Sequence, residues 1–343
     1  MSDHDDWDID ATEDPEEETV DIDYEITSYP ADTTLAGYLT QWDNNQLDVP
    51  DFQRSYVWDQ TRASKLIESF LLGLPVPGVF LYKERKSKKF LIIDGQQRIK
   101  SIVYFLKGQF NNKIFKLKRV TSRWEGKSFT QLDEEDKFAL ENSVMRATVI
   151  QQISPEDHTS VYHIFERLNT GGINLNPMEI RKCVAHGDFA DALERMNAND
   201  DWQRILGRHR PDKRMRDVEL VLRIIALSEK INQYNKPMKG FLNGFMEEKR
   251  KISDFEKIVN AFSDACHYII DSVGETPFHY RQRLNYGLLD AVFVSILTKR
   301  KPEKLSDVLE ALKKDSDFVS CITRNTSDTN ILKKRIKIAA KYF

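Results

Sequence analysis

The spacing of apolar residues changes partway along the chain. Up to residue 153, apolar runs of strand length alternate with amphipathic stretches of helical spacing. Over residues 154–343 helical spacing dominates. The pattern therefore predicts an α+β protein, with a mixed α/β N-terminal domain over residues 23–153 and an all-helical C-terminal domain over residues 154–343. The strand-like runs lie near 24–26 and at 79–83, 89–93, 113–117 and 147–152.

Two of the predicted helices carry clear start signals. Asp59 is placed to cap a helix that has Leu66, Ile67 and Phe70 on one face. Asn176 is followed by Pro177 and, at the third position, Glu179, which is a capping-box arrangement. The other predicted helices cover residues 34–44, 96–106, 188–197, 214–230, 237–249, 253–272, 280–299, 303–314 and 328–341, and one more runs from Pro155 through Leu168.

The most informative stretch reads Phe-Leu-Ile-Ile-Asp-Gly-Gln-Gln-Arg, at residues 90–98. Four apolar residues run into Asp94 and Gly95, and apolar residues at helical spacing follow at once. The stretch predicts a buried strand, a one-glycine turn and a helix. A helix N-terminus has unpaired N–H groups and a partial positive charge, so it favours phosphate.

The residue types at this junction suit the binding of a phosphorylated ligand. Gly95 would let backbone N–H groups approach it. Gln96 and Gln97 can bond a base, a ribose or a water, and Arg98 can reach a phosphate. Asp94 would hold a metal ion, orient a water or cap the helix, and the sequence leaves these three roles open.

Two further polar clusters stand at element boundaries. In the first, Gln53 and Arg54 precede the helix that Asp59 caps, and the nearby Tyr56 and Trp58 would form stacking surfaces or pack into the core. In the second, Asn169 and Thr170 lie between two predicted helices and are followed by Gly171 and Gly172. Each cluster alone is a weak signal.

Charge is distributed unevenly. The first 53 residues contain 17 Asp or Glu and no Lys or Arg, whereas the rest has 51 Lys or Arg against 37 Asp or Glu, a net charge of +14. Residues 1–22 are acidic and poor in apolar residues, so we predict a disordered tail. This tail would either solvate the protein or compete with an anionic partner for the basic part.

Clustered bases predict contact with a polyanion, although a solvated surface would have the same composition. The cluster that we select for DNA binding precedes the predicted helix at 214–230. Two more clusters lie at 113–127 and along the last helix, from Lys333 to Lys341. The selected residues are Arg208, Arg210, Lys213 and Arg214.

The sequence argues against disulfide-bonded, zinc-binding, membrane and secreted proteins and against several common enzyme motifs. Cys183, Cys266 and Cys321 are far apart and match no disulfide framework or zinc spacing. The chain has no apolar run of membrane-spanning length and no secretory signal, so we expect a cytoplasmic protein without membrane contact. It also contains no Walker-type phosphate loop, dinucleotide fingerprint, nucleophile elbow or His-Glu-x-x-His motif.

Taken together, the three polar clusters resemble a known family. The motifs Gln53-Arg54, Asp94-Gly95-Gln96-Gln97-Arg98 and Phe165-Glu166-Arg167-Leu168-Asn169-Thr170-Gly171 follow the order found in the GmrSD N-terminal domain family. The resemblance covers residues 30–185. It implies a ParB/sulfiredoxin-like fold with a DGQQR motif, which binds and hydrolyses nucleoside triphosphate in modification-dependent restriction and phage defence.

The resemblance also implies roles for individual residues. Asp94, Gln96, Gln97 and Arg98 would line the nucleotide site, and Gln53 and Arg54 would flank it. Asn169 and Thr170 would close the site from the helical side. We therefore expect Asp94, Gln97 and Arg98 to carry the chemistry, with GTP or ATP as the nucleotide and Mg²⁺ held by Asp94.

Full-length enzymes of the family carry an HNH-type nuclease half, and this chain shows no such pattern. Its C-terminal region offers only the separated His267 and His279. We expect the DNA-cutting half to be absent or to lie in a separate nuclease subunit, and a homo-oligomer is left open. The alternatives are a DNA-binding module without enzymatic activity and a metal-dependent nuclease on the ParB-like domain.

Overall fold

The computed structural model describes residues 25–48, 56–83, 89–154, 160–168, 176–185, 187–250, 252–281 and 283–343. Contacts divide these residues into two units. The first contains the described residues from 25 to 168 together with 182–184, and the second contains residues 176–181 and those from 185 onward. Every described helix is too short or too polar to cross a bilayer. The acidic tail predicted at residues 1–22 lies outside the described residues.

The first unit is built on a mixed sheet. Five of the described strands form it, in the order β1-β7-β3-β4-β2. β7 pairs antiparallel with β1 and parallel with β3, and β4 pairs antiparallel with β3 and parallel with β2. The strands are β1 (Glu25–Thr34), β2 (Leu47–Asp48), β3 (Val79–Lys83), β4 (Phe90–Asp94), β5 (Gln109–Phe110), β6 (Lys113–Ile114) and β7 (Val144–Ser154), with β5 and β6 in a separate hairpin.

Several helices of the first unit contribute apolar residues to one core. The helices are α1 (Leu35–Asp43), α2 (Gln60–Leu71), α3 (Gln96–Leu106), α4 (Glu134–Asn142) and α5 (Ser160–Leu168). In α3, Ile99, Ile102 and Val103 are fully buried in one core with Ile67 of α2 and Ile92 of β4. This burial holds α3 against the sheet and therefore fixes the position of its first turn.

The second unit is helical, apart from a short hairpin of β8 (His279–Tyr280) and β9 (Arg283–Leu284). Its core includes α9 and α12, which contribute runs of fully buried residues. The helices are α6 (Pro177–Val184), whose residues 182–184 are grouped with the first unit, α7 (Asp188–Asn197), α8 (Asp200–Ile205), α9 (Arg216–Lys230), α10 (Met238–Lys249), α11 (Glu256–Val273), α12 (Tyr286–Thr298), α13 (Leu305–Lys314), α14 (Ser316–Thr323) and α15 (Thr329–Ala339).

Most local predictions are confirmed. The structure is α+β, with a mixed sheet in the N-terminal part and a helical C-terminal part. The helices predicted at 96–106 and 188–197 have the observed bounds. Asp59 and Asn176 cap their helices as expected, and Glu179 completes the capping box.

Other predictions were wrong in extent. The strand expected near residues 24–26 spans Glu25–Thr34, because its partner β7 pairs with it along ten positions. The helix expected from residue 280 begins at Tyr286, after the β8–β9 hairpin. The basic stripe expected along the last helix was also wrong in one member, since Arg335 is fully buried.

Arg335 is buried because it has a buried anionic partner. Its Nη2 lies 3.2 Å from Oδ2 of Asp290, and its Nη1 donates to the carbonyl of Thr326 at 2.9 Å. Arg223 donates through Nε to the same Asp290 oxygen at 2.8 Å. A buried charge is tolerated when it is paired in this way.

Candidate functional site

The junction between β4 and α3 requires glycine at residue 95. Asp94 is the last residue of β4, and Gly95 has a φ of +95° and acts as the N-cap of α3. A Cβ atom at residue 95 would lie 2.2 Å from Cγ1 of Val79, which is far inside van der Waals contact. Glycine therefore meets two demands here, the left-handed backbone conformation and the close approach of β3.

Arg98 connects this junction to the loop that precedes β3. Its Nη2 donates to Oδ2 of Asp94 at 2.8 Å and to the carbonyl oxygen of Gly78 at 2.9 Å. The Arg98 side chain is 18% exposed and that of Asp94 is 49% exposed. Within the described residues, the buried Nε of Arg98 has no hydrogen-bond partner. The guanidinium therefore keeps capacity for a further acceptor.

The N-terminus of α3 lies at the β4–α3 junction. Gly95 supplies no capping side chain, and the first turn contains no acidic residue. The positive end of the helix dipole therefore favours an anion at this junction.

A cavity of about 850 Å³ adjoins this junction. Its walls include the loop from Gly73 to Gly78 and the first residues of β3 and β7. Four charged side chains line it: Asp32, Asp94, Arg98 and Arg146. Ligand pockets for small molecules occupy about 300–1,000 Å³, so a nucleotide fits this volume.

Arg146 and Asp32 are the two charged cavity residues that sequence reasoning missed. Arg146 donates through Nε to Oδ1 of Asp32 at 3.0 Å, and both side chains are mostly exposed. A Cβ added at Gly78 would lie 2.7 Å from the Arg146 carbonyl, so the backbones approach closely. The sequence signal was an outward-facing Arg between the buried Met145 and Ala147, which does not reveal where along β7 a cavity opens.

Gln97 is bound to the segment that leads into α2. Its Oε1 accepts the backbone N–H of Val57 at 3.0 Å and that of Trp58 at 3.3 Å. Gln96 is buried, with 8% of its surface exposed. The oxygen of Gln97 is therefore already engaged in positioning residues 57 and 58.

The two aromatic residues expected to stack or pack contribute to the core of the first unit. The hydroxyl group of Tyr56 lies 2.7 Å from Oγ of Ser101, and its ring meets Tyr104 and Phe110 edge-on. Burial raises the pKa of Tyr56 to about 12. Trp58 packs against the same core, with the guanidinium of Arg62 4.8 Å from its ring centroid.

Four of the nucleotide-binding residues expected from sequence lie outside the described residues: Gln53, Arg54, Asn169 and Thr170. Of the described residues expected at the nucleotide site, Asp94 and Arg98 line the cavity and Gly95, Gln96 and Gln97 do not, and the structure adds Asp32 and Arg146. Asp94 and Asp32 are the carboxylates of the cavity. Within the described residues, no cluster of three or more His, Cys, Asp or Glu is placed to hold a metal ion.

The residues selected for DNA binding lie in the second unit. Arg214 forms an ion pair with Glu179 at 3.0 Å, and its carbonyl accepts the side-chain amide of Asn176. Arg208 donates through Nε to the Arg210 carbonyl at 3.4 Å. Arg210 and Lys213 are exposed. Part of this cluster is therefore used in internal pairing.

Comparison with known proteins gives one family. Residues 37–185 match the family described as GmrSD restriction endonuclease, N-terminal domain. Searches of curated proteins and of solved structures returned no match. The matched range contains the β4–α3 junction and most residues of the cavity, and it associates the chain with DNA restriction. Over residues 37–185, less than half of its length, this chain is therefore similar to the N-terminal domain of GmrSD restriction endonucleases.

Proposed function

We propose that the cavity beside Asp94 and Arg98 binds a nucleoside triphosphate and hydrolyses it. The chain would thus be the nucleotide-dependent subunit of a modification-dependent restriction or phage-defence system that acts on DNA. One observation carries this proposal: the guanidinium of Arg98, in the first turn of α3, lines a cavity of about 850 Å³.

The charges of the cavity support an anionic ligand. Arg98 forms an ion pair with Asp94, and Arg146 forms one with Asp32. The two positive and two negative charges of the cavity therefore balance each other without a ligand. A triphosphate would compete for both guanidinium groups, because charge-assisted hydrogen bonds to phosphate are strong and often bidentate. The positive end of the α3 dipole would also attract the phosphates.

Release of Asp94 from Arg98 would provide a carboxylate for the reaction. Mg²⁺ is commonly bound by one or two carboxylates together with the phosphates of the substrate, and Asp94 fits that requirement. The ion would neutralise phosphate charge as the terminal phosphoryl group leaves. Asp94 alone could instead orient the attacking water.

Gln97 supports the same proposal as a positioning residue. It holds the backbone at Val57 and Trp58, directly after the segment that contains Gln53 and Arg54. A ligand contact by Arg54 would therefore be coupled to the first turn of α3 through this link. The carboxamide nitrogen of Gln97 stays available for a nucleotide or a water.

The test compares Arg98→Ala with Arg195→Ala. Arg195 forms an exposed ion pair with Glu256 in the second unit, so it controls for the loss of a paired arginine. Triphosphate binding is measured by calorimetry and phosphate release is measured with Mg²⁺, with and without modified DNA. Loss of charged hydrogen bonds costs about 1.5–3 kcal/mol, so we expect Arg98→Ala to bind roughly 10 to 100 times more weakly. An Arg98→Ala protein that binds and hydrolyses nucleotide like the wild type would refute the proposal.

A further inference from the structure

A second basic surface lies in the first unit, outside the cavity. Residues 107–127 contain seven Lys or Arg and one acid, Glu125. Four of the bases have exposed side chains close together in sequence: Lys113, Lys116, Lys118 and Arg119. We call the pair Lys116 and Lys118 the basic face.

The backbone conformation directs two of these side chains the same way. Phe115 and Leu117 are fully buried, whereas Lys116 and Lys118 are exposed. This alternation is that of an extended chain, in which residues two apart point to the same side. Lys116 and Lys118 therefore project together into solvent.

Hydrogen bonds hold this segment in place. Nε2 of Gln60 donates to the Lys116 carbonyl at 2.5 Å, and the Lys118 N–H donates to Oγ of Ser64 at 3.0 Å. On its other edge, the Leu117 N–H donates to the Lys127 carbonyl at 2.9 Å. The segment is thus fixed to α2 on one side and to residues 126–127 on the other, so its lysines are presented by a rigid backbone.

The acids near the basic face are already occupied. Glu68 is buried and accepts from the N–H and hydroxyl of Thr121 and from Lys65. Glu125 accepts the N–H of Val120, and Asp59 caps α2. Among the described residues, none forms an ion pair with Lys113, Lys116, Lys118 or Arg119.

The other basic clusters differ in this respect. Arg214 pairs with Glu179, and Arg216 pairs with Asp212 at 2.7 Å. On α15, Lys334 pairs with Asp317 and Arg335 is buried against Asp290. A cation that already has an acidic partner contributes less binding free energy when it contacts a phosphate than an exposed cation without such a partner.

We propose that the basic face contacts the phosphodiester backbone of double-stranded DNA. The proposed function enters only in naming DNA as the partner, because the location rests on the charges and contacts of the face itself. The contacts would be independent of base sequence and would weaken with salt, since each neutralised phosphate releases counterions. They would position the duplex on the domain.

The experiment measures fluorescence anisotropy of a labelled 20-base-pair duplex of arbitrary sequence over a salt series. The test variant is Lys116→Ala/Lys118→Ala. The matched control is Lys313→Ala/Lys314→Ala, which removes two exposed lysines from α13. A third variant, Arg210→Ala/Lys213→Ala, removes two charges from the cluster selected by sequence. Triphosphate binding is measured on all variants in parallel.

Each phosphate contact adds about 0.9 to the slope of log K against log salt. We expect the test variant to lower that slope by about two and to weaken binding at least about tenfold in 0.1 M salt. Lys116→Arg/Lys118→Arg should retain wild-type binding, and so should the control on α13. Triphosphate binding should stay unchanged, so that failure of the nucleotide site would be seen separately.

Two results would overturn the proposal. One is a test variant that binds the duplex like the wild type, whatever the third variant does. The other is an equal loss in the test variant and in the α13 control, because net charge rather than position would then explain binding.

Discussion

Gln97 and Val57 are joined by a hydrogen bond across 40 residues of sequence, with the side-chain oxygen of Gln97 3.0 Å from the backbone nitrogen of Val57. The same oxygen also accepts the N–H of Trp58. The first turn of α3 is thereby tied to the chain that leads into α2. A residue expected to act on nucleotide is thus also a structural connection.

Replacing Gln97 tests this connection. Gln97→Ala removes the acceptor of two N–H groups, so we expect the free energy of unfolding to fall by about 1–2 kcal/mol. Gln97→Glu keeps an oxygen acceptor and should retain most of that stability. Urea unfolding measures both, with the exposed Gln109→Ala as control. Stability of Gln97→Ala equal to that of the control would contradict the connection, and a stable Gln97→Glu without phosphate release would assign the carboxamide to the chemistry.

Comparison with Gly126 tests whether Gly95 is required only for its positive φ or also for the close approach of Val79. Both have positive φ, but a Cβ at residue 126 would meet no atom within 4 Å. We expect Gly126→Ala to lower the free energy of unfolding by about 1 kcal/mol, because the alanine must adopt a left-handed backbone conformation. Gly95→Ala should lower the free energy of unfolding by about 1–3 kcal/mol more than Gly126→Ala does, because the added Cβ overpacks against Val79.

A double-mutant cycle identifies the origin of that extra cost. Val79→Ala removes the methyl group nearest to the added Cβ. The destabilisation that Val79→Ala causes should therefore be smaller in the Gly95→Ala background than in the wild type. Urea unfolding of the four proteins gives the coupling. Additive effects would show that the Cγ1 methyl group of Val79 is not the obstacle.

Arg146 should matter for ligand binding and little for folding. Its ion pair with Asp32 is mostly exposed, and such pairs contribute about 0–1 kcal/mol. If Arg146 meets the phosphates, Arg146→Ala should weaken triphosphate binding about tenfold or more. Asp32→Asn removes the competing carboxylate and should tighten binding. Calorimetry with Arg195→Ala as control checks this, and unchanged affinity in Arg146→Ala would exclude it from the site.

Tyr56 makes stability depend on pH in the alkaline range. Burial raises the pKa of Tyr56 from 10.0 to about 12 in the folded protein. The native state therefore holds the phenolic proton more tightly than the unfolded state. This contribution is fully present below pH 10 and is lost as the pH rises towards 12.

Urea unfolding between pH 9 and pH 12 tests the effect. We expect the stability difference between the wild type and Tyr56→Phe to shrink as the pH rises, because only the wild type can lose the phenolic proton at this position. Tyr29→Phe removes a hydroxyl from the exposed part of β1 and serves as control. A difference that stays constant over this range would contradict the assignment to Tyr56.

Local sequence determined much of the fold. The run of apolar residues before Asp94, the glycine and the helical spacing after it specify a strand, a turn and a helix, because strand and helix signals act over a few neighbouring residues. Capping by Asp59 and by Asn176 follows from the same short range. The family was also readable from the order of three motifs.

Only the tertiary structure decided which distant residues meet. The length of β1 depends on pairing with β7, more than 100 residues away, and the burial of Arg335 depends on Asp290 of another helix. Arg146 and Asp32 line the same cavity as Asp94 and Arg98 because the sheet order places β1, β7, β3 and β4 side by side. Such contacts are set by packing and long-range pairing, which leave no local periodicity in the sequence.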